Sequence, residues 1–383
     1  MNISTFIGVH FSYLCLVRSH EPFATANTMR EVFSKRLYNA RRQAGLSQDQ
    51  LVALIEGKVK KTAIAKYERG EMMAEPEVIM ALAKALNQKF DYFFRPFTVS
   101  VSNVEFRAKA SLGARKEETL RHDIISRIER YLELKRILND NTRFDNPFKG
   151  RLVSTAEDAE QAAVELYDHW ALGKEGIGDV MSLLEDKGIA VIDIDADDSF
   201  DGYSAYVNDE IPVIVLRGKA NTTERRRFTA LHEMAHLLFT FDENASKMEK
   251  ERLCNRFAGA VLLPAKILVR ELGRYRSYIS PAEMAIIKDR YGISAMALIT
   301  RAFQLEVISK FTFIRLKDYI TTDKLEMHIG SNKRVDKPTR FDLMLLHALS
   351  EELISVTKAA DLAGKSLDEL VKQYLIHEKP FHY

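Results

Sequence analysis

Residues 231–237 read Leu-His-Glu-Met-Ala-His-Leu, with His232 and His236 four positions apart. On a helix that spacing puts both imidazoles on one face, one turn apart, within reach of a single cation. Glu233 lies between them near the same rim, where a carboxylate can take a proton from water polarised by a metal. Two imidazoles leave a tetrahedral catalytic site one protein ligand short, so a third must come from another element. A second segment, Ser246 to Leu263, supplies Glu249 and Glu251 and stops at Pro264. It is strongly apolar beyond Arg252, which predicts a helix buried against the first. Glu251, Cys254 and Ala258 share one of its faces at i, i+3 and i+7. Cys254 is a soft ligand type, but at this small, buried position it reads as packing. An oxyanion stabiliser is also needed, and Tyr203 or Arg225 has suitable chemistry without the spacing selecting either.

The elements that must position these groups are legible around them. Thr223 is placed to cap the histidine-bearing helix, with Phe228, Leu231, Ala235 and Leu238 on its buried side. Upstream, Ser154-Thr155-Ala156-Glu157 has the form of a capping box. It opens a helix carrying Ala159, Ala162, Ala163, Leu166 and Trp170, the last read as core. A further helix is expected from Gly178 to Lys187. Two β-rich runs, 189–194 and 211–216, flank a turn-containing stretch that alternates enough to be a third strand. Helices, a small sheet and more helices make an α+β pattern. Ser280-Pro281-Ala282-Glu283 opens another helix with Pro at its first position. Residues 311–330 alternate weakly as strands, and two or three helices follow. No ligand spacing links His328, His347, His377 and His382.

The amino-terminal part is different. Short amphipathic helices follow from Arg30 onward, punctuated by Gly45, by the Glu56-Gly57 turn and by Arg69-Gly70. Residues 30–96 hold 13 Lys and Arg against 8 Asp and Glu, whereas residues 97–383 are net −3. The excess cations are concentrated where phosphate would be met. The stretches RLYNARRQAGLSQDQLV, TAIAKYERGE and IMALAKALNQKFDYFF resemble the xenobiotic-response-element (lambda-repressor-like) helix-turn-helix family across 30–95. The turn between Leu51 and Ile64 is two residues longer than is usual there. The resemblance implies duplex DNA as partner, with the helix from Lys60 to Glu68 entering the major groove. Lys60, Lys61, Thr62 and Lys66 would then face the DNA, with Ile64 and Tyr67 inward and Gln48 on a phosphate.

RRRFTALHEMAHLLF followed by EKERLCNRFAGAVLLP resembles the ImmA/IrrE family of zinc metallopeptidases, over at least residues 150–310. That resemblance implies a gluzincin-like α+β peptidase with Zn²⁺ on His232, His236 and Glu251 and with Glu233 as general base. Cys254 stands where the family more often has Ala. It further implies cleavage of a repressor protein that frees stress-response or mobile-element genes. The expected organisation is a leader at 1–28, a helix-turn-helix domain at 29–96 and a helical linker at 97–150. The metallopeptidase domain follows at 151–310, and a helical region at 311–383. In that last region ISVTKAADLAGKSLDEL resembles a second helix-turn-helix, slightly acidic and so better suited to protein than to DNA. The charged helix at 115–138 carries Ile124, Ile128, Leu132 and Leu134, a stripe suited to packing within the chain or in a homodimer.

Composition bounds the alternatives. A net charge of +2 over 383 residues excludes a basic coat for nucleic acid. Cys15 and Cys254 cannot form a disulfide framework, which fits a cytoplasmic setting. No apolar run approaches the roughly 20 residues that span a bilayer. Phe6 to Val17 is apolar but lacks the basic start of a secretory signal, so 1–28 reads as an extension before a start at Met29. Three functions remain compatible with these residues. One is a DNA-binding regulatory protease, the second a non-proteolytic DNA-binding regulator or antitoxin, and the third a repressor that cuts its own linker near 139–150.

Overall fold

A computed structural model describes residues 26–95, 114–198, 200–207, 211–218, 222–322, 326, 328–330 and 335–375. The chain divides into two compact units, residues 1–97 and 98–383. The leader through residue 25 and the first residues of the expected linker, 97–113, lie outside the described residues.

The first unit is built from helices α1 (Ala26–Gln43), α2 (Gln48–Leu54), α3 (Lys61–Glu68) and α4 (Pro76–Ala85), closed by a 3-10 turn at Phe90–Phe94. Ser47 caps α2 in a reciprocal box with Gln50. The long turn after α2 is accommodated by two successive left-handed residues, Glu56 at φ 56° and Gly57 at φ 67°. Phe33, Leu37, Leu51, Ile64, Leu82 and Phe93 form its core. Arg41 is buried on that core and is bidentate to Glu68 at 2.5 and 2.9 Å. A buried charge of this kind is tolerated only when paired and hydrogen-bonded.

The second unit begins with α5 (Ala114–Ile137), α6 (Ala156–His169) and α7 (Val180–Asp186). The three strands are β1 (Ala190–Ile194), β2 (Gly202–Val207) and β3 (Ile211–Arg217). After them come α8 (Thr223–Leu238), α9 (Lys247–Leu262), α10 (Ala265–Leu272), α11 (Pro281–Tyr291), α12 (Ala295–Gln304) and α13 (Lys310–Thr322). The chain then forms α14 (Arg340–Ser350), α15 (Val356–Ala363) and α16 (Leu367–Leu370). The fold is α+β, as the pattern of helices about a small sheet predicts.

In the sheet the strand order is β1-β3-β2. β1 runs parallel to β3, and β2 runs antiparallel to it with Gly202 opposite Leu216. Val191, Ile214 and Leu216 join the core formed with α6, α8 and α9, whereas Ile192, Tyr203, Val207 and Val215 point into a second core. That second core is closed by Ile124, Ile128 and Leu134 of α5 together with Met344, Leu345 and Ala360 of α14 and α15. The stripe of α5 is therefore consumed within the chain, and the carboxyl-terminal helices cover a sheet face.

Two local expectations are corrected. Residues 310–322 are helical, because Thr312, Leu316 and Ile320 are the buried positions and recur every four residues, not every two. The caps also shift by one residue. Thr155 with Asp158 forms the box of α6, and Thr222 caps α8 by accepting from the amide of Arg225 at 3.1 Å.

A buried ion pair and hydrogen bonds to buried carboxylates tie the last segment down. Asp336 pairs with Arg227 at 2.5 Å, with neither side chain more than 1% exposed, and accepts from the amide of Val180. Glu185 accepts from the amides of Thr339 and Arg340 at the start of α14.

Candidate metal centre

Helix α8 is anchored by Leu231, Met234, Ala235 and Leu238, all buried. The helical period then turns His232 and His236 towards α9, which packs against it. The Nε2 atoms of the two histidines lie 3.2 Å apart. Glu251 of α9 brings Oε2 to 3.1 Å from Nε2 of His232 and Oε1 to 3.6 Å from Nε2 of His236. Ligand atoms of all three residues fall within 4.8 Å of one another. Two imidazole nitrogens and one carboxylate make a donor set suited to a divalent metal ion, and they lie close enough together to share one. Glu249 is turned elsewhere, accepting from the amide and hydroxyl of Ser246 in the box that starts α9.

The outer faces of both imidazoles are engaged. Nδ1 of His232 is 2.9 Å from Oδ1 of Asn255, and Nδ1 of His236 is 3.5 Å from Sγ of Cys254. Burial alone would lower the pKa of His232. Its hydrogen bond to Glu251, the charges of Glu233 and Glu251 and the contact with Asn255 outweigh burial and hold it above the ordinary histidine value.

Glu233 points to strand β2. Its Oε2 accepts from the hydroxyl of Ser204 at 2.7 Å. A Cβ at Gly202 would stand 3.2 Å from Cγ of Glu233 and 2.6 Å from Cγ2 of Thr229, so only Gly leaves α8 room to lie this close. Tyr206, the next residue on the same strand face, donates to the carbonyl of Leu237 at 3.0 Å. Residues 202, 204 and 206 thus face α8 by the two-residue period of a strand. That period sends Tyr203 to the opposite face, into the second core, and removes it as an oxyanion stabiliser at this centre. Arg225 forms an ion pair with Asp201 at 2.6 Å, two turns before Glu233 on α8. Motif spacing does not point to Ser204 or to the contact of Cys254. Asn255 has a visible signal, being four residues after Glu251 and so on the same face.

On the first unit, Lys60, Lys61, Thr62 and Lys66 are all exposed or half-exposed, while Ile64 and Tyr67 are buried. Lys61 forms an exposed pair with Asp49 at 2.6 Å. Gln48 donates to Oε2 of Glu68 at 2.7 Å, the carboxylate already held by Arg41.

Residues 184–303 match the M78 peptidase model described as an IrrE N-terminal-like domain, which spans β1 through most of α12 and all the residues of the centre. Residues 37–93 match a helix-turn-helix model. The chain joins a helix-turn-helix domain to an IrrE-like peptidase domain. No curated protein matches it. The IrrE-like domain therefore carries a His-His-Glu cluster able to hold a metal ion, with a carboxylate fixed beside it. No described helix is long and apolar enough to cross a membrane.

Proposed function

We propose that this protein is a DNA-binding regulatory zinc metalloendopeptidase of the cytoplasm that cleaves a repressor or partner protein and so frees the genes it controls. The observation that carries the reading is the convergence of His232, His236 and Glu251 beside a Glu233 held in place by Ser204. His232, His236 and Glu251 would hold zinc. Zinc bound there supplies Lewis acidity, which lowers the pKa of water and polarises a peptide carbonyl. Glu233 accepts the proton of the attacking water and returns it to the leaving amine nitrogen. Ser204 keeps the carboxylate aimed during both transfers. Lys60, Lys61, Thr62 and Lys66 present α3 to duplex DNA, with phosphate contacts giving most of the affinity and Gln48 at the edge of the contact.

The test compares cells carrying the wild-type chain with cells carrying Glu233→Gln, by sequencing protein amino termini across the proteome. A new amino terminus that depends on Glu233 names the substrate, and its position within this chain or within another protein separates self-cleavage from cleavage in trans. Identical sets of termini, together with unchanged gene control by the variant, would leave a passive DNA-binding regulator as the function.

A further inference from the structure

Helix α9 does more than supply a third donor. Glu251, Cys254 and Asn255 stand at i, i+3 and i+4, so all three look towards α8. The carboxylate meets the Nε2 atoms of both histidines, while the next two side chains of that face meet their Nδ1 atoms, one each. Each imidazole is therefore gripped on both of its nitrogens by a single helix.

The chemistry of imidazole gives this arrangement a direction. A neutral ring has one N–H and one lone pair, and it can offer Nε2 to a cation only when Nδ1 carries the proton. A buried Nδ1–H needs an acceptor, and the acceptor it finds selects the tautomer and the ring orientation. For His232, which is half-buried, Oδ1 of the exposed Asn255 side chain stands in that acceptor position at 2.9 Å. The partner of His236 is sulfur, in a thiol that is completely buried, as are Met234 and Ala235 of α8. Cys254 thus has an electrostatic task beyond filling space.

We propose that Cys254 and Asn255 are the positioning residues of the centre, fixing His236 and His232 in the tautomer that turns Nε2 inward, with the Cys254 sulfur as the acceptor for Nδ1–H of His236. This rests on reading the cluster as a metal centre. It adds that the affinity of the centre is set by two residues that do not touch the ion.

The experiment uses the full chain and Zn²⁺ alone as probe, at one fixed pH. Zinc affinity is measured by competition with a chelator for wild type, Cys254→Ala, Cys254→Ser, Asn255→Ala and Asn255→Asp, with thermal unfolding recorded for each. The same proteins, metal-free and labelled with nitrogen-15 at histidine, report the tautomers of His232 and His236 by long-range NMR couplings. Loss of either acceptor is expected to weaken zinc binding about 10- to 100-fold. It is also expected to shift the affected ring, and that ring only, away from the Nδ1-protonated form. Cys254→Ser and Asn255→Asp keep an acceptor and should restore most of the affinity. Should Cys254→Ala bind zinc as tightly as wild type and leave His236 Nδ1-protonated, the assignment of Cys254 is overturned. The same result at Asn255→Ala overturns that of Asn255. A wild-type chain that takes up no zinc overturns the metal-centre reading instead, and the tautomers of the metal-free proteins still decide this one.

Discussion

The hydroxyl of Ser204 donates to Oε2 of Glu233 at 2.7 Å across the packing of strand β2 on helix α8. A carboxylate on a helix has several rotamers, and this bond, with the absent Cβ of Gly202, selects one. Strand and helix together therefore aim the Glu233 carboxylate, the proposed general base. Ser204→Ala should lower cleavage of the substrate found from the amino-terminal comparison by about 10-fold, a fraction of the roughly 10²–10⁴ that a general base contributes. Zinc content should stay unchanged, and Ser204→Thr should recover most of the rate. Equal rates for wild type and Ser204→Ala would remove Ser204 from the site.

In the proposed centre Glu233 is not a donor to the ion, whereas His232 and Glu251 are. Elemental analysis should find about one zinc per chain in wild type and in Glu233→Gln, and little in His232→Ala or Glu251→Ala. Glu249→Ala should keep its zinc, because Glu249 serves the cap of α9. Loss of zinc from Glu249→Ala with full retention in Glu251→Ala would move the third ligand by two residues. Cleavage by Glu233→Gln should fall by about 10²–10⁴-fold.

Lys61 and Lys66 lie on the outer side of α3, and the pair of Lys61 with Asp49 is a surface bond of the kind that contributes little. Replacing both lysines with Ala in the full chain should weaken duplex binding. Its salt dependence should flatten by about one unit of slope for each phosphate that is no longer neutralised. A titration in which the double variant binds as tightly as wild type, with the same salt slope, removes α3 from the interface.

Burial pushes the pKa of Glu185 up to about 7, against the partial opposition of the Thr339 and Arg340 amides. The fold favours its protonated form. The stability this group contributes is therefore complete below about 4.5, its unfolded value, and is lost as pH rises through about 7. Glu185→Gln keeps an oxygen for the two amides and carries no charge. It should match wild type near pH 5 and be more stable at pH 8, by on the order of 1–3 kcal/mol. Denaturant unfolding at the two pH values checks this, and a variant no more stable at pH 8 contradicts it.

Arg227 is fully buried and holds Asp336 together with the carbonyls of Ile177 and Gly178. Asp336→Ala should cost about 3–5 kcal/mol, since it strands a buried cation and also removes the acceptor for Val180. Gly292→Ala should destabilise too, because its φ is 61° and a Cβ would come within 2.7 Å of Nε of Arg227. Unfolding curves indistinguishable from wild type would show that the pair does not secure this segment.

Local spacing is enough for some of these features. Two histidines four apart on an amphipathic helix must share a face, and a Ser or Thr followed by Glu, Gln or Asp three residues on, placed just before an apolar-periodic run, marks a helix start. The histidine face, the α9 cap at Ser246 and the helical amino-terminal unit are legible for that reason. Contacts between elements have no such local code. Which face of β2 meets α8 depends on strand register, and a slip of one residue would exchange Ser204 for Tyr203 beside Glu233. Whether Cys254 touches a histidine or only fills space depends on how α9 crosses α8, a geometry set by side chains from α6 and α12 as well. The 310–322 segment reads as a weak strand until α12 packs against it and rewards the four-residue recurrence of Thr312, Leu316 and Ile320. The ends of an element follow from its own residues, but the partner each side chain meets follows from register and crossing angle, which depend on the whole unit.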